Sequence, residues 1–347
     1  MSYANKDIIQ SKALSLIKEL SKHLKSIEKE EALFFNTGKT VYIPDIHGDF
    51  VHLIITLYRH GVLDLNLNLN KDCKYVFLGD FYDRAPDTYI IDFWLNNQIK
   101  NKTEIYRLLG NHEMAFFERK ENGHPIIFPS QDAIKDIAIG FQITENLLQN
   151  IATGSLIAAY VDTRRDVACN VPTTLYVHSY IINDDFIELG LNPNTNIINF
   201  ATTLNKRLQE HGQNAYETFL EGKRNNHFNW KLIMEPFLQD PLFNIYDAKN
   251  DIHTSFLWRR TGLPRLNIYP CELDVDIPDN VHQIVGHTPT FLFKLSSNEF
   301  INKPFVIPAP NGTGKVQFSD VGIGYYYKND SFERPDVLLK DLQQEPL

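Results

Sequence analysis

A chain of 347 residues that is 43% hydrophobic and 22% charged can bury a sizeable core, and its formal net charge of −9 argues against nucleic acid as the main partner, because that binding rests on Lys and Arg neutralising phosphates. No apolar run approaches the length of a membrane span, and the first ten residues are polar, without the apolar centre of a secretory signal. The sequence therefore reads as cytoplasmic, or as translocated into a host cell without a visible signal peptide.

Residues 6–33 repeat apolar positions at helical spacing, with Ile9, Ala13, Leu16, Ile17, Leu20 and Leu24 on one face. An amphipathic core-packing helix is expected there, inside an N-terminal segment covering residues 1–36. A strand is predicted over 40–44, a helix over 49–60 ended by Gly61, a strand over 74–78, a helix over 88–99 and a strand over 104–109. This alternation predicts βαβ units and an α/β class. Residues 65–70, LNLNLN, alternate like a strand but lie between a helix end and the next strand, so a loop is expected. Residues 114–170 read as mostly helical, notably 131–150, and a strand follows at 174–177. The stretch 183–252 is rich in Asn, with helical patches at 197–211, 216–221 and 228–238, and reads as a helical insert or cap. Closing strands are predicted at 282–285, 291–295, 315–318 and 324–327, which bounds a catalytic domain of 37–328 and a polar tail of 329–347. The three cysteines, Cys73, Cys169 and Cys271, are far apart and lack Cys-x-x-Cys spacing, so they read as buried thiols in a reducing compartment.

Four polar blocks stand out against this pattern: PDIHGDF (Pro44 to Phe50), GDFYDRAP (Gly79 to Pro86), GNHEM (Gly110 to Met114) and GHTPT (Gly286 to Thr290). Each follows a short apolar run. Predicted strands thus lead into Asp45 and His47, into Asp80, into Asn111 and His112, into His178, and into His287. Side chains leaving the carboxyl ends of neighbouring strands converge on one crevice in an α/β sheet. Asp, His and Asn without Cys suit Mn, Fe, Zn or Mg better than a structural zinc. Any one block alone is weak, since Asp-x-His is commonly a turn; four in order at strand ends make one metal site. Asp49 reads as a helix N-cap rather than a ligand. Glu113 reads as a support for the site. His52, His60, His124 and His253 read as surface or core residues, and Tyr325 and Tyr326 as core.

Together the blocks resemble the signature of the calcineurin-like metallophosphoesterases, and more closely that of the PPP phosphoprotein phosphatases, whose pattern runs GDxHG, GDxxDRG, GNHE and then two separate histidines. The resemblance spans Val41 to about Gly324 through the blocks, leaving the stretches between them unmatched. Asp83-Arg84 after Asp80, and the single His of GHTPT, point to the PPP branch. Pro44 and Ala85 replace glycines of that pattern but spare the ligand positions, and no SAPNY-type segment is present, as in a divergent bacterial-type member.

The resemblance implies a calcineurin-like β-sandwich flanked by helices, with a helical insert or cap. It implies two divalent metal ions, Mn first, with Fe, Zn or Mg as alternatives. Asp45 and His47 would bind one, Asn111, His178 and His287 the other, and Asp80 both. A metal-bridging hydroxide would attack phosphorus, with His112 as general acid oriented by Asp83 and with Arg84 gripping phosphate oxygens. The segment SFLWRR (Ser255 to Arg260) resembles one that supplies a second phosphate-binding arginine in bacterial relatives, here Arg260 ahead of Arg259; a salt bridge is the other role open to either. The closing FSDVGIG (Phe318 to Gly324) resembles an Asp-Val-Gly element of the same relatives. The implied activity is phosphomonoester hydrolysis on a phosphoprotein or phosphopeptide, phosphoserine or phosphothreonine first. Protein tyrosine phosphatase activity and diadenosine tetraphosphate hydrolysis are the alternatives within hydrolases. An inactive binding module is the alternative outside them, and the completeness of the ligand set opposes it.

Overall fold

The computed structural model describes residues 6–27, 40–82, 84, 85, 87–117, 137–163, 173–244, 255–259, 276–289, 293, 304–310 and 312–320. Three short strands, β1 (Thr40–Ile43), β2 (Lys74–Phe77) and β3 (Glu104–Arg107), pair in parallel in the order β1-β2-β3. Helices α2 (Phe50–Arg59) and α3 (Thr88–Lys100) connect them as βαβ crossovers. The second sheet holds β4 (Ala159–Asp162), β5 (Thr173–Val177), β6 (Val281–Val285), β7 (Phe305–Pro308) and β8 (Lys315–Phe318) in the order β4-β5-β6-β8-β7. Its three central strands run parallel and its two outer ones antiparallel.

The two sheets pack face to face because their strands alternate. Val76, Leu78 and Leu108 from the first sheet and Tyr176 and Ile284 from the second form one small buried layer. The intervening residues of the same strands, such as Tyr75, Phe77, Leu175 and Val177, turn to the opposite faces and join the large core built with the helices. Helix α1 (Lys6–His23) buries Ala13 and Leu20, with Leu24 in the turn after it.

Helix α5 (Ile137–Ala152) lies against α7 (Ile197–Asn225), which also packs on α8 (Trp230–Leu238) and β4. Short α4 (Asn111–Phe117) and α6 (Asn183–Glu188) follow β3 and β5. Three local expectations change. The patches at 197–211 and 216–221 are one 29-residue helix. The mostly helical stretch 114–170 contains strand β4. A strand missed in the sequence, β7, closes the second sheet. The LNLNLN stretch is a loop, yet it buries Leu67 and Leu69, and the Leu67 carbonyl accepts from Trp94 Nε1 at 2.8 Å and Gln98 Nε2 at 3.1 Å. Cys73 is buried, while Cys169, Cys271 and most of the expected strands at 291–295 and 324–327 lie outside the described residues. Among the described residues no helix is long and apolar enough to cross a membrane.

Candidate metal centre

Asp45 and His47 follow β1, Asp80 follows β2, Asn111 and His112 open α4 beyond β3, His178 follows β5 and His287 follows β6. All seven are buried. His47, Asp80 and His287 hold φ angles of 48°, 49° and 62°. Such left-handed backbone costs a residue with a side chain about 1–3 kcal/mol and persists where its surroundings fix it. Here the blocks fix one another. The Asp80 carbonyl accepts the amides of Ile46 (3.1 Å) and His47 (2.8 Å), and the His47 carbonyl accepts that of Ala85 (2.8 Å). The Asp45 carboxylate accepts the His287 amide at 3.1 and 3.0 Å. Gly286 and Gly110 are demanded by close approach, since a Cβ on either would collide with the carboxylate of Asp45 or Asp80 respectively.

Glu113 braces this lattice. Its carboxyl accepts the amides of Asp80 (2.8 Å), Phe81 (2.8 Å) and Gly110 (2.9 Å), tying the end of β2 to the end of β3. Burial, with Asp80 beside it, pushes Glu113 up to about 8 while the three amides pull the other way. Asp49 caps α2, its carboxylate accepting the His52 amide at 3.2 Å. His52 and His60 are core residues.

Asp80 sits at the centre of the cluster. Its carboxylate lies 3.5 Å from His178 Nε2, 3.7 Å from His47 Nε2 and 3.7 Å from His112 Nε2, and accepts the His112 amide at 2.9 Å. His47 Nε2 is also 3.9 Å from Asp45. Asn111 Oδ1 stands 2.8 Å from His178 Nε2 and 2.9 Å from His287 Nδ1. Two sets of three ligand atoms, His47–Asp80–His112 and Asp80–His178–His287, each fall within 4.8 Å of one another. His112 therefore shares the Asp80 side with His47, and their rings meet edge to face at 4.6 Å.

The donor chemistry fits divalent cations. His178 Nδ1 is 2.8 Å from the Leu78 carbonyl, which can only accept, so that nitrogen carries the proton. In its neutral form the ring points its Nε2 lone pair at the Asn111 oxygen, an opposition of two acceptors that a cation would relieve. Asn111 Nδ2 has no hydrogen-bond partner among the described residues. Burial, then the carboxylates of Asp320 and Asp80, hold Asp45 well above the usual carboxylate range. Burial, then Arg84 and His112, hold His47 well below the usual imidazole range. A cation between them would favour the ionised carboxylate and the neutral imidazole. Arg84, at φ 61°, carries a charge that acts on both Asp45 and His47.

The sequence model of the calcineurin-like phosphoesterases matches residues 38–291, which include every one of these side chains except Asp320. The chain belongs to this family. Among solved structures it is similar to the cold-active protein tyrosine phosphatase of a psychrophilic Shewanella species (15% identity, TM-score 0.40, 88% of this chain and 76% of that one). It is similar also to a protein serine/threonine phosphatase from Saccharomyces cerevisiae (14%, TM-score 0.38, 92% and 78%). A third is the phosphatase domain of the Legionella effector WipB (15%, TM-score 0.35, 70% and 80%). No curated protein matches the chain.

Several further residues around the centre of this calcineurin-like phosphoesterase can be located. Asp83 and Arg260 lie outside the described residues. Arg259 forms a buried two-armed ion pair of 2.7 and 2.9 Å with Asp185, the salt-bridge role open to it in the sequence. Its neighbour Trp258 meets the His287 ring edge to face at 5.9 Å. Asp320 was not singled out as a site residue, yet it is fully buried and is the carboxylate that acts most on Asp45. The signal was present: Asp320 follows β8 just as Asp45 and Asp80 follow their strands.

Proposed function

We propose that this phosphoesterase is a two-metal phosphomonoesterase acting on phosphoproteins, with phosphoserine and phosphothreonine as its first substrates. The observation that carries the reading is the convergence on Asp80 of nitrogen and oxygen groups from four other strand ends. Asp45 and His47 would hold one divalent ion, Asn111, His178 and His287 a second, and Asp80 both. When bound, the ions supply Lewis acidity, acidifying water and neutralising charge on phosphate oxygens.

The chain's own groups do the rest. His112 stands beside Asp80 and gives a proton to the departing oxygen, with Asp83 orienting its ring. Arg84, whose charge acts on Asp45 and His47, holds phosphate oxygens with its planar fork, and Arg260 is the candidate for a second grip. With Arg259 engaged by Asp185, it is the less suited of the pair.

The test is hydrolysis by the purified full chain, stripped of metal and then given Mn. Turnover of p-nitrophenyl phosphate is expected only with Mn, and its absence would overturn the reading. Phosphoserine, phosphothreonine and phosphotyrosine peptides, run beside diadenosine tetraphosphate, rank the substrates. His112→Asn should lower kcat by 10²–10⁴-fold while Mn binding persists.

A further inference from the structure

The chain that follows His178 is fastened at every step. The Ser179 hydroxyl donates to the Arg259 carbonyl at 2.5 Å. Arg259 Nη1 donates to the Tyr180 carbonyl at 2.9 Å, and its guanidinium lies over the Tyr180 ring at 5.8 Å. The Ile181 amide and carbonyl are both taken by the Gln283 side chain, at 2.8 and 3.0 Å, and Gln283 belongs to the strand that leads to His287. The Ile182 amide donates to Asp185 Oδ2 at 2.8 Å, the oxygen that also accepts from Arg259 at 2.7 Å. Asp185 and Arg259 are both buried. One residue before Arg259, Trp258 rests its ring against His287.

Taking two charges out of water is costly, and such pairs are weak devices for stability alone. This pair stands where it touches the backbone behind one candidate ligand and, through Trp258, the ring of another. Outer groups that orient ligands set metal affinity. We propose that the Asp185–Arg259 pair is a positioning device that locks the His178 segment and the Trp258–His287 contact into one unit and so sets divalent-cation affinity on that side of the centre. The inference rests on the reading of His178 and His287 as metal ligands.

The test compares the metal-free full chain with Arg259→Lys and with the double variant Asp185→Leu/Arg259→Met, which replaces the pair by apolar side chains. Calorimetric titration with Mn alone gives affinity and stoichiometry, and thermal unfolding without metal gives stability. The expected result is a fall in affinity at one of two Mn sites by about tenfold or more in both variants, with the double variant unfolding near the wild-type temperature. Wild-type affinity at both sites in a folded variant overturns the proposal, and so does a mere loss of binding-competent protein at unchanged affinity. Should the double variant fail to fold, Arg259→Lys carries the decision. A wild-type chain that takes up no Mn overturns the metal reading itself, an outcome distinct from a variant that binds like wild type.

Discussion

Gly110 shows how little room the centre leaves. A methyl group there would fall on the carboxylate of Asp80 and 2.7 Å from Glu113 Oε2. Overpacking of this kind costs about 1–3 kcal/mol, and here the group that must give way is the candidate shared ligand. Gly110→Ala should therefore weaken Mn binding well beyond its effect on thermal stability, and calorimetry beside thermal unfolding checks it. The candidate ligand residues stood out in the sequence because each stands at the end of a short apolar strand, where side-chain type and position agree. Arg259 was not legible: an arginine beside a tryptophan looks the same whether it faces phosphate or a buried aspartate 74 residues away. Only the fold brings Asp185 to it.

Helix α7 illustrates a similar gap at the scale of elements. The sequence reads as two helical patches parted around Gly212, yet the helix runs unbroken from Ile197 to Asn225. A Cβ on Gly212 would strike the Ile151 side chain and lie 2.9 Å from the Ala152 amide, so the glycine marks the close crossing of α5 and α7 rather than a break. Gly→Ala in a helix gains about 1 kcal/mol of propensity, but a forced crossing loses about 1–3 kcal/mol. Gly212→Ala should lower the unfolding temperature, and an increase would show that α7 can shift freely. Strand β4 escaped notice for a related reason. It is four residues long, and the groups at its start are held by Asn205 of α7, which accepts the Ala158 and Ala159 amides at 2.8 and 3.0 Å and donates to the Ala159 carbonyl at 2.8 Å. No local pattern announces a partner 46 residues on.

For the molecule as a whole, acid should act through buried histidines outside the candidate metal centre. Burial, then Arg59, lowers His60 to about 4, and burial, then Lys315, lowers His282 to about 4. A depressed imidazole favours folding above its unfolded value of 6.5, and that contribution is lost as pH falls toward the folded value. Between pH 7.5 and 5 each should cost on the order of 2 kcal/mol. Denaturant midpoints across that range test this, and His60→Gln/His282→Gln should flatten the slope. Mn should act in the opposite sense: at a hundredfold excess over its dissociation constant, one site adds about 2.7 kcal/mol. A chelator should remove that gain, as a drop in unfolding temperature.

Asn111 comes from the end of the first sheet, and His178 and His287 come from the second. An ion held by all three would rivet the two halves of the sandwich at their catalytic rim. The narrow apolar seam of Val76, Leu78, Leu108, Tyr176 and Ile284 would then need to hold only the interior. Hydrogen exchange at the amides of Leu78, Gly110 and Gly286 would read that rivet directly, slowing together as Mn is added.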